Sequence, residues 1–221
     1  TADTLFRGDF RTNVAEWAPD VTWRNGVLRV EHERSQVITE PGAKSEWDLA
    51  FSPAVNLAMD LEIGAGVAEL DFSGLSLTRL SLKTGASDLT ARFDEPNPAR
   101  MDDWTVEAGA ASLRIEGIGN AGPERMTVRG GVGNVALDFG GAWPASSQVD
   151  ITGGSGSFTL WIPEDVGARV EIEGGLSSVE VEGLTRSGGA YVNQAYGQAE
   201  TELLIRIRVG IGAVRLISTG E

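Results

Sequence analysis

Cysteine is absent from these 221 residues, and histidine occurs once, at His32. Without thiols there is no disulfide framework, no thiolate zinc site and no cysteine nucleophile, and one imidazole cannot build a multi-histidine metal centre. Long apolar runs are missing as well. None approaches the roughly 20 residues that cross a bilayer as a helix, so any membrane anchor lies outside this sequence. Positive charge is scarce: 18 Lys and Arg stand against 32 Asp and Glu, a net charge of −14 that repels nucleic-acid phosphates and anionic lipid heads. The chain opens at Thr1 with neither an initiator Met nor the basic and apolar regions of a signal peptide, as expected of a processed or trimmed chain.

What is abundant is glycine, with 29 residues, and its placement is periodic. A twelve-residue phrase returns seven times, with apolar residues five and three positions before a glycine and four and six positions after it. The glycines are Gly66, Gly85, Gly109, Gly131, Gly154, Gly175 and Gly210. The first phrase reads Leu61, Ile63, Gly66, Leu70, Phe72, and the fifth reads Val149, Ile151, Gly154, Phe158, Leu160. Polar residues such as Glu62, Thr105, Asp150, Glu171 and Arg206 alternate with the apolar ones, the period of a strand with one buried face. Only Ala136 breaks that outward polarity. Each phrase is therefore expected to be two short strands joined at a glycine bend, because a residue without a Cβ can turn the chain where others cannot.

The expected fold is an all-β, right-handed β-solenoid of about seven glycine-cornered, two-strand coils, stacked at about 4.8 Å. It spans residues 57–221 as one continuous unit. Residues 1–56 hold three of the six tryptophans and a hairpin signal at Asn25-Gly26, and are expected to form an N-terminal β cap over the open end of the stack. The last two phrases should be neighbours, since Glu171 then meets Arg206 and Glu180 meets Arg215.

Four segments carry a family likeness: Leu61-Glu62-Ile63-Gly64-Ala65-Gly66, Glu46-Trp47-Asp48-Leu49, Asn97-Pro98-Ala99-Arg100-Met101, and Tyr191 to Gly197 ahead of a last strand pair. In these the chain, from about Leu5 to Leu216, resembles the bacterial toast-rack family. That family is similar in turn to the C-terminal domain of membrane proteins that respond to cell-wall-active antibiotics, and to adhesin-like proteins. The resemblance implies a β-solenoid at the bacterial cell envelope and brings no catalytic residues with it.

Motifs that suggest chemistry have plainer explanations. Gly130-Gly131-Val132-Gly133-Asn134-Val135 and Gly153 to Phe158 resemble a calcium β-roll, but Val135 and Phe158 stand where carboxylates are needed. Gly117-Ile118-Gly119-Asn120-Ala121-Gly122 matches a dinucleotide fingerprint, yet Pro123 and another strand follow instead of a helix. Asn97 and Asn120 are expected to bond successive coils together. His32, between Glu31 and Glu33, is expected on a solvated edge.

The widest gap between phrases, residues 183–202, holds both tyrosines, so Tyr191, Asn193 and Tyr196 are candidate ligand-binding residues for a glycan or peptide. The gap is expected to fold back along the side of the stack. Trp161 joins them because the alternation turns it outward. No catalytic residue, metal ligand or cofactor is expected. The function implied is a non-enzymatic structural or interaction module, at the cell envelope or outside the cell, linked to envelope stress or adhesion, with cell-wall glycan or an envelope protein as partner. The competing reading is a carbohydrate-active enzyme using the loop carboxylates Asp102, Asp103, Glu164 and Asp165.

Overall fold

The computed structural model describes residues 4–14, 17–31 and 42–220, with the side chains of 176 and 177 excepted. His32 lies outside the described residues. The chain forms two compact units, Thr1–Val55 and Asn56–Glu221.

In the first unit β1 (Phe6–Thr12) pairs antiparallel with β4 (Ser45–Phe51), while β2 (Asp20–Arg24) and β3 (Val27–Glu31) form a hairpin. Asn25 (φ 51°) and Gly26 (φ 77°) both take the left-handed conformation that a two-residue hairpin turn demands. Between β1 and β4, Phe6 meets Phe51 at 5.3 Å and Phe10 meets Trp47 edge-on at 5.4 Å. These cross-strand aromatic pairs supply much of the packing that two short strands otherwise lack.

The second unit is one long, mostly parallel sheet. Its strands are β5 (Asn56–Asp71), β6 (Ser76–Arg92), β7 (Met101–Glu116), β8 (Pro123–Asp138), β9 (Ser147–Pro163), β10 (Gly167–Glu182), the short β11 (Thr185–Ser187) and β12 (Ala190–Val192), and β13 (Glu202–Thr219). Their order is β11-β12-β10-β13-β9-β8-β7-β6-β5. All seven phrases are present, each as one unbroken strand of 16 to 18 residues in place of two. The bend shows in the burial. In β9, Val149 and Ile151 face inward, and after the glycines Phe158, Leu160 and Ile162 do. The inward set thus passes from odd to even numbers at the corner. The two arms close on one core: Phe93, just past the second arm of β6, packs against Trp104 in the first arm of β7 at 5.2 Å. Trp104 Nε1, buried there, has no acceptor among the described residues.

Close approach, not left-handed backbone, explains the phrase glycines. A Cβ on Gly131 would lie 2.5 Å from the Gly109 carbonyl oxygen, and one on Gly154 would lie 2.6 Å from that of Gly131. The ladder runs on through Gly85, Gly109, Gly210 and Gly175, each against the carbonyl of the glycine on the next strand. Positive φ falls two residues later, at Gly133 (φ 142°). The first phrase is centred differently from the sequence expectation. Gly85 meets Gly64, and Leu61 pairs with Leu82, so Gly64 and not Gly66 belongs to the ladder. Apolar residues flank both glycines at the required distances, which is why the pattern alone could not choose. This register adds a further core column eight positions past the glycine: Phe72, Phe93, Phe139 and Ile162 are all buried.

A second difference is that the seventh phrase does not stack at the end. β13 inserts between β9 and β10, in parallel with both. Charge explains the order. Arg206 lies between Asp150 of β9 and Glu171 of β10, whereas β10 stacked on β9 would set those two carboxylates side by side. The expected neighbours are indeed paired, Glu171 with Arg206 at 3.5 Å and Glu180 with Arg215 at 3.7 Å.

Candidate functional site

Residues 183–202 make a small antiparallel addition to the sheet. Tyr191 of β12 pairs with Val170 of β10 on one side and with Arg186 of β11 on the other. Both Tyr191 and Tyr196 are half-buried. Asn193 is 4% exposed, and its amide is fully committed. Its Nδ2 donates to the carbonyls of Pro163 (3.0 Å) and Val166 (2.6 Å), and its Oδ1 accepts from the backbone N–H of Ala168 (2.9 Å) and Tyr196 (3.1 Å). Asn193 therefore stands behind the surface and fixes the loop that presents Tyr196; it does not reach the rim.

The same device recurs twice. Asn97 Oδ1 accepts from Leu77 N–H at 2.8 Å while its Nδ2 donates to the Leu77 carbonyl at 2.8 Å. Asn120 Nδ2 donates to the Phe93 carbonyl at 2.9 Å, and its Oδ1 accepts from Ala142 N–H at 2.9 Å. Asn97 and Asn120 thus bond successive coils as expected, and Asn193 is a third member of that class. The fingerprint-like segment holding Asn120 contains one helical turn, α1 (Ile118–Ala121), where only a loop was expected. Left-handed glycines at both ends, Gly117 (φ 70°) and Gly122 (φ 57°), start and stop it, and buried Ile118 anchors it.

Trp161 is not near the tyrosines. Along the strands Val170 aligns with Ile205 and Val149, whereas Trp161 aligns with Ile217 in the other arm. The Arg114 guanidinium lies over the indole, 5.6 Å from its centroid. Arg114 is in register with Ala136 of the intervening strand, and Ala136 precedes Asp138, the neighbour of Trp161. The small side chain at that one apolar outward position lets the arginine cross to the tryptophan.

The carboxylates of the enzyme reading are spread apart, and those of β7 are in ion pairs. Asp103 binds Arg125 at 2.9 Å and Asp102 lies 3.6 Å from Arg100, while Glu164 and Asp165 are exposed in the loop between β9 and β10. Among the described residues no group of three His, Cys, Asp or Glu side chains is placed to hold a metal ion. At the glycine corner an open groove of about 510 Å³ runs across β5 to β8, rimmed by Glu62, Lys83, Glu107 and Arg129. The rim alternates in sign, and Glu107 is bridged from both sides, by Lys83 at 3.6 Å and Arg129 at 3.2 Å. At the end of β5, hydrogen bonds from Ser73 and Arg92 hold the Asp71 carboxyl down at about 2.

Comparison with known proteins adds three findings. The model of the N-terminal domain of toast_rack, DUF2154, matches residues 1–116. Among curated proteins none matches. The crystal structure of a putative cell adhesion protein from Clostridium sporogenes superposes with a TM-score of 0.52 at 18% identity, over 99% of this chain and 85% of that one, a likeness of fold. The family match covers more than half of the sequence and runs from the first unit through β7, the third long strand of the second; the chain belongs to the toast-rack family.

Proposed function

We propose that this protein is a non-enzymatic interaction module of the bacterial cell envelope, built as a right-handed β-solenoid of seven glycine-cornered coils. The observation that carries the reading is the closed core. From β6 to β9 and in β13 both arms of every strand are packed shut, so contact with a ligand falls to the outer faces and the loops. Toast-rack membership and the likeness to a putative cell adhesion protein support placing those faces at the envelope, in adhesion more than in a stress response. Within the module, Tyr191 and Tyr196 are the ligand-facing pair for cell-wall glycan or an envelope protein, with Asn193 positioning them and Trp161 on a separate face. An aromatic side chain with a polar tip suits that contact.

Cell fractionation with retention on purified cell-wall material tests the proposal. Wild type should partition with the envelope and be retained. Tyr191→Ala and Tyr196→Ala should melt like wild type and lose retention. If both are retained as well as the parent, the tyrosines have no binding role. Turnover in a glycan-hydrolysis screen that vanishes on replacing Asp102, Asp103, Glu164 or Asp165 singly would replace the module with a carbohydrate-active enzyme.

A further inference from the structure

At four outward columns the long strands at the two ends of the sheet carry the same sign. In β10 these columns hold Glu171, Glu173, Glu180 and Glu182; in β5 they hold Asp60, Glu62, Glu69 and Asp71. Inside the sheet the signs are mixed, and β13, beside β10, carries Arg206, Arg208 and Arg215. β12 covers β10 only at Arg169 and Val170, so from Glu171 onward no strand pairs with its outer edge among the described residues. On that stretch Val179 is 37% exposed, while its neighbour in register, Val214 of β13, is 1% exposed.

We propose that the outer edge of β10, from Glu171 to Glu182, is a docking edge for an extended segment of a partner protein carrying Arg or Lys at alternate positions. In the same arrangement the acidity of both end strands keeps the sheet from extending itself. Three observations fit that occupant. The edge offers unpaired backbone donors and acceptors, the requirement for strand addition. Glu171 is met by Arg206 and Arg169 and Glu173 by Arg208, but Glu180 and Glu182 share the single Arg215, so acidic charge remains at that end of the edge for a second basic strand. The sheet itself contains the geometry required, since Glu107 is held by a cation from each flanking strand. A second copy stacked end to end would instead set Glu171 against Asp60, Glu173 against Glu62, Glu180 against Glu69 and Glu182 against Asp71. Like charges directly opposite are repulsive.

The proposal rests on the interaction-module reading, but peptide binding and cell-wall retention are separate measurements, so either can fail without the other. The probe is a fluorescent peptide of residues 202–219, the strand that already complements β10 on its inner side, titrated into the full chain by anisotropy. It should bind, and replacing its three arginines by Glu should weaken binding by at least about tenfold. Alternate N–H groups of a strand point to opposite edges. N-methylation of one alternate set should therefore abolish binding, and methylation of the other set should leave it. Glu173→Gln with Glu180→Gln in the protein should weaken the native peptide. The peptide controls leave the protein unaltered, so a folding defect cannot imitate the result. Absent binding, equal binding of the Arg and Glu peptides, or equal loss from both methylated sets would overturn the docking edge. End-to-end polymers of the wild type at neutral pH and low salt would overturn its second half.

Discussion

The middle of the sheet and its two ends are built from the same apolar columns and differ in what those columns achieve. Leu82, Val106, Val128 and Ile151 are 1% exposed or less, whereas their equivalents Leu61 in β5 and Ile172 in β10 are only half-buried. The second arms differ likewise: Val214 is 1% exposed and Val179 is 37% exposed. An inward side chain is sealed by the strands on either side of it, and an end strand has one such neighbour. Hydrophobicity at a column selects the fold, while position in the stack sets how much stability the residue contributes, at about 25 cal/mol per Å² of apolar surface removed from water.

The sharpest way to break this comparison is the glycine ladder. Gly131→Val puts a Cβ 2.5 Å from a backbone carbonyl that the whole sheet holds in place. The expected cost is about 3 kcal/mol or more, which lowers the melting midpoint by roughly 10 °C or prevents folding. Gly64→Ala, in the same column at the end of the stack, meets nothing within 4 Å and should cost less than about 1 kcal/mol. Equal losses from the two variants would show that the column depends on backbone conformation and not on the approach of the neighbouring strand.

Core truncations should follow the same division at smaller amplitude. Leu160→Ala, at a fully buried site of β9, is expected to cost about 3 kcal/mol, and Leu70→Ala in β5 about half as much. Urea denaturation of both variants, with unchanged dependence on denaturant, measures the ratio. A ratio near one would mean that the end strand is sealed as well as the middle.

These contrasts also mark what the sequence could disclose. Seven phrases, inward columns and acid–base neighbours are all local or one-strand-apart properties, and each is visible as a spacing or a sign. The choice between Gly64 and Gly66 depends on register against β6, to which both alternatives present apolar residues. The insertion of β13 was half visible: the complement between Glu171 and Arg206 named its neighbour on one side, and Asp150, at the equivalent place in the fifth phrase, named the other. Asn193 reads as a ligand-binding residue because of its company. Two tyrosines nearby point to a ligand, although Asn97 and Asn120, both half-buried, set the pattern of an amide that bonds a loop to a strand. Trp161 required knowing that Arg114 crosses a small residue two strands away, a diagonal that no single phrase contains.

The asparagines supply the next prediction. Asn193→Ala removes four hydrogen bonds of a buried amide and leaves the backbone groups of Pro163, Val166, Ala168 and Tyr196 without that partner. A loss of about 2 kcal/mol is expected, with faster hydrogen exchange confined to residues 183–202 and the start of β10. Exchange that rises evenly across the sheet would mean that the loop and the stack unfold as one, and the end of the sheet would then be no less secure than its middle.

The smallest effect lies at the opposite end, where Asp71 receives hydrogen bonds from Ser73 and from Arg92, whose guanidinium is 2.9 Å away. Its pKa in the folded protein is about 2, below the ordinary 3.8, so folding favours the charged form. The resulting stability is complete above about pH 4 and disappears as pH falls through 2. Because the carboxylate is 48% exposed, solvent screens the pair and the contribution should stay below about 1 kcal/mol. Asp71→Asn should therefore melt a few degrees below wild type at pH 6, with the difference closing between pH 4 and pH 2. A gap that persisted unchanged at pH 2 would assign the loss to packing of the side chain against Ser73, and the charge of this end strand would then serve only to repel another end.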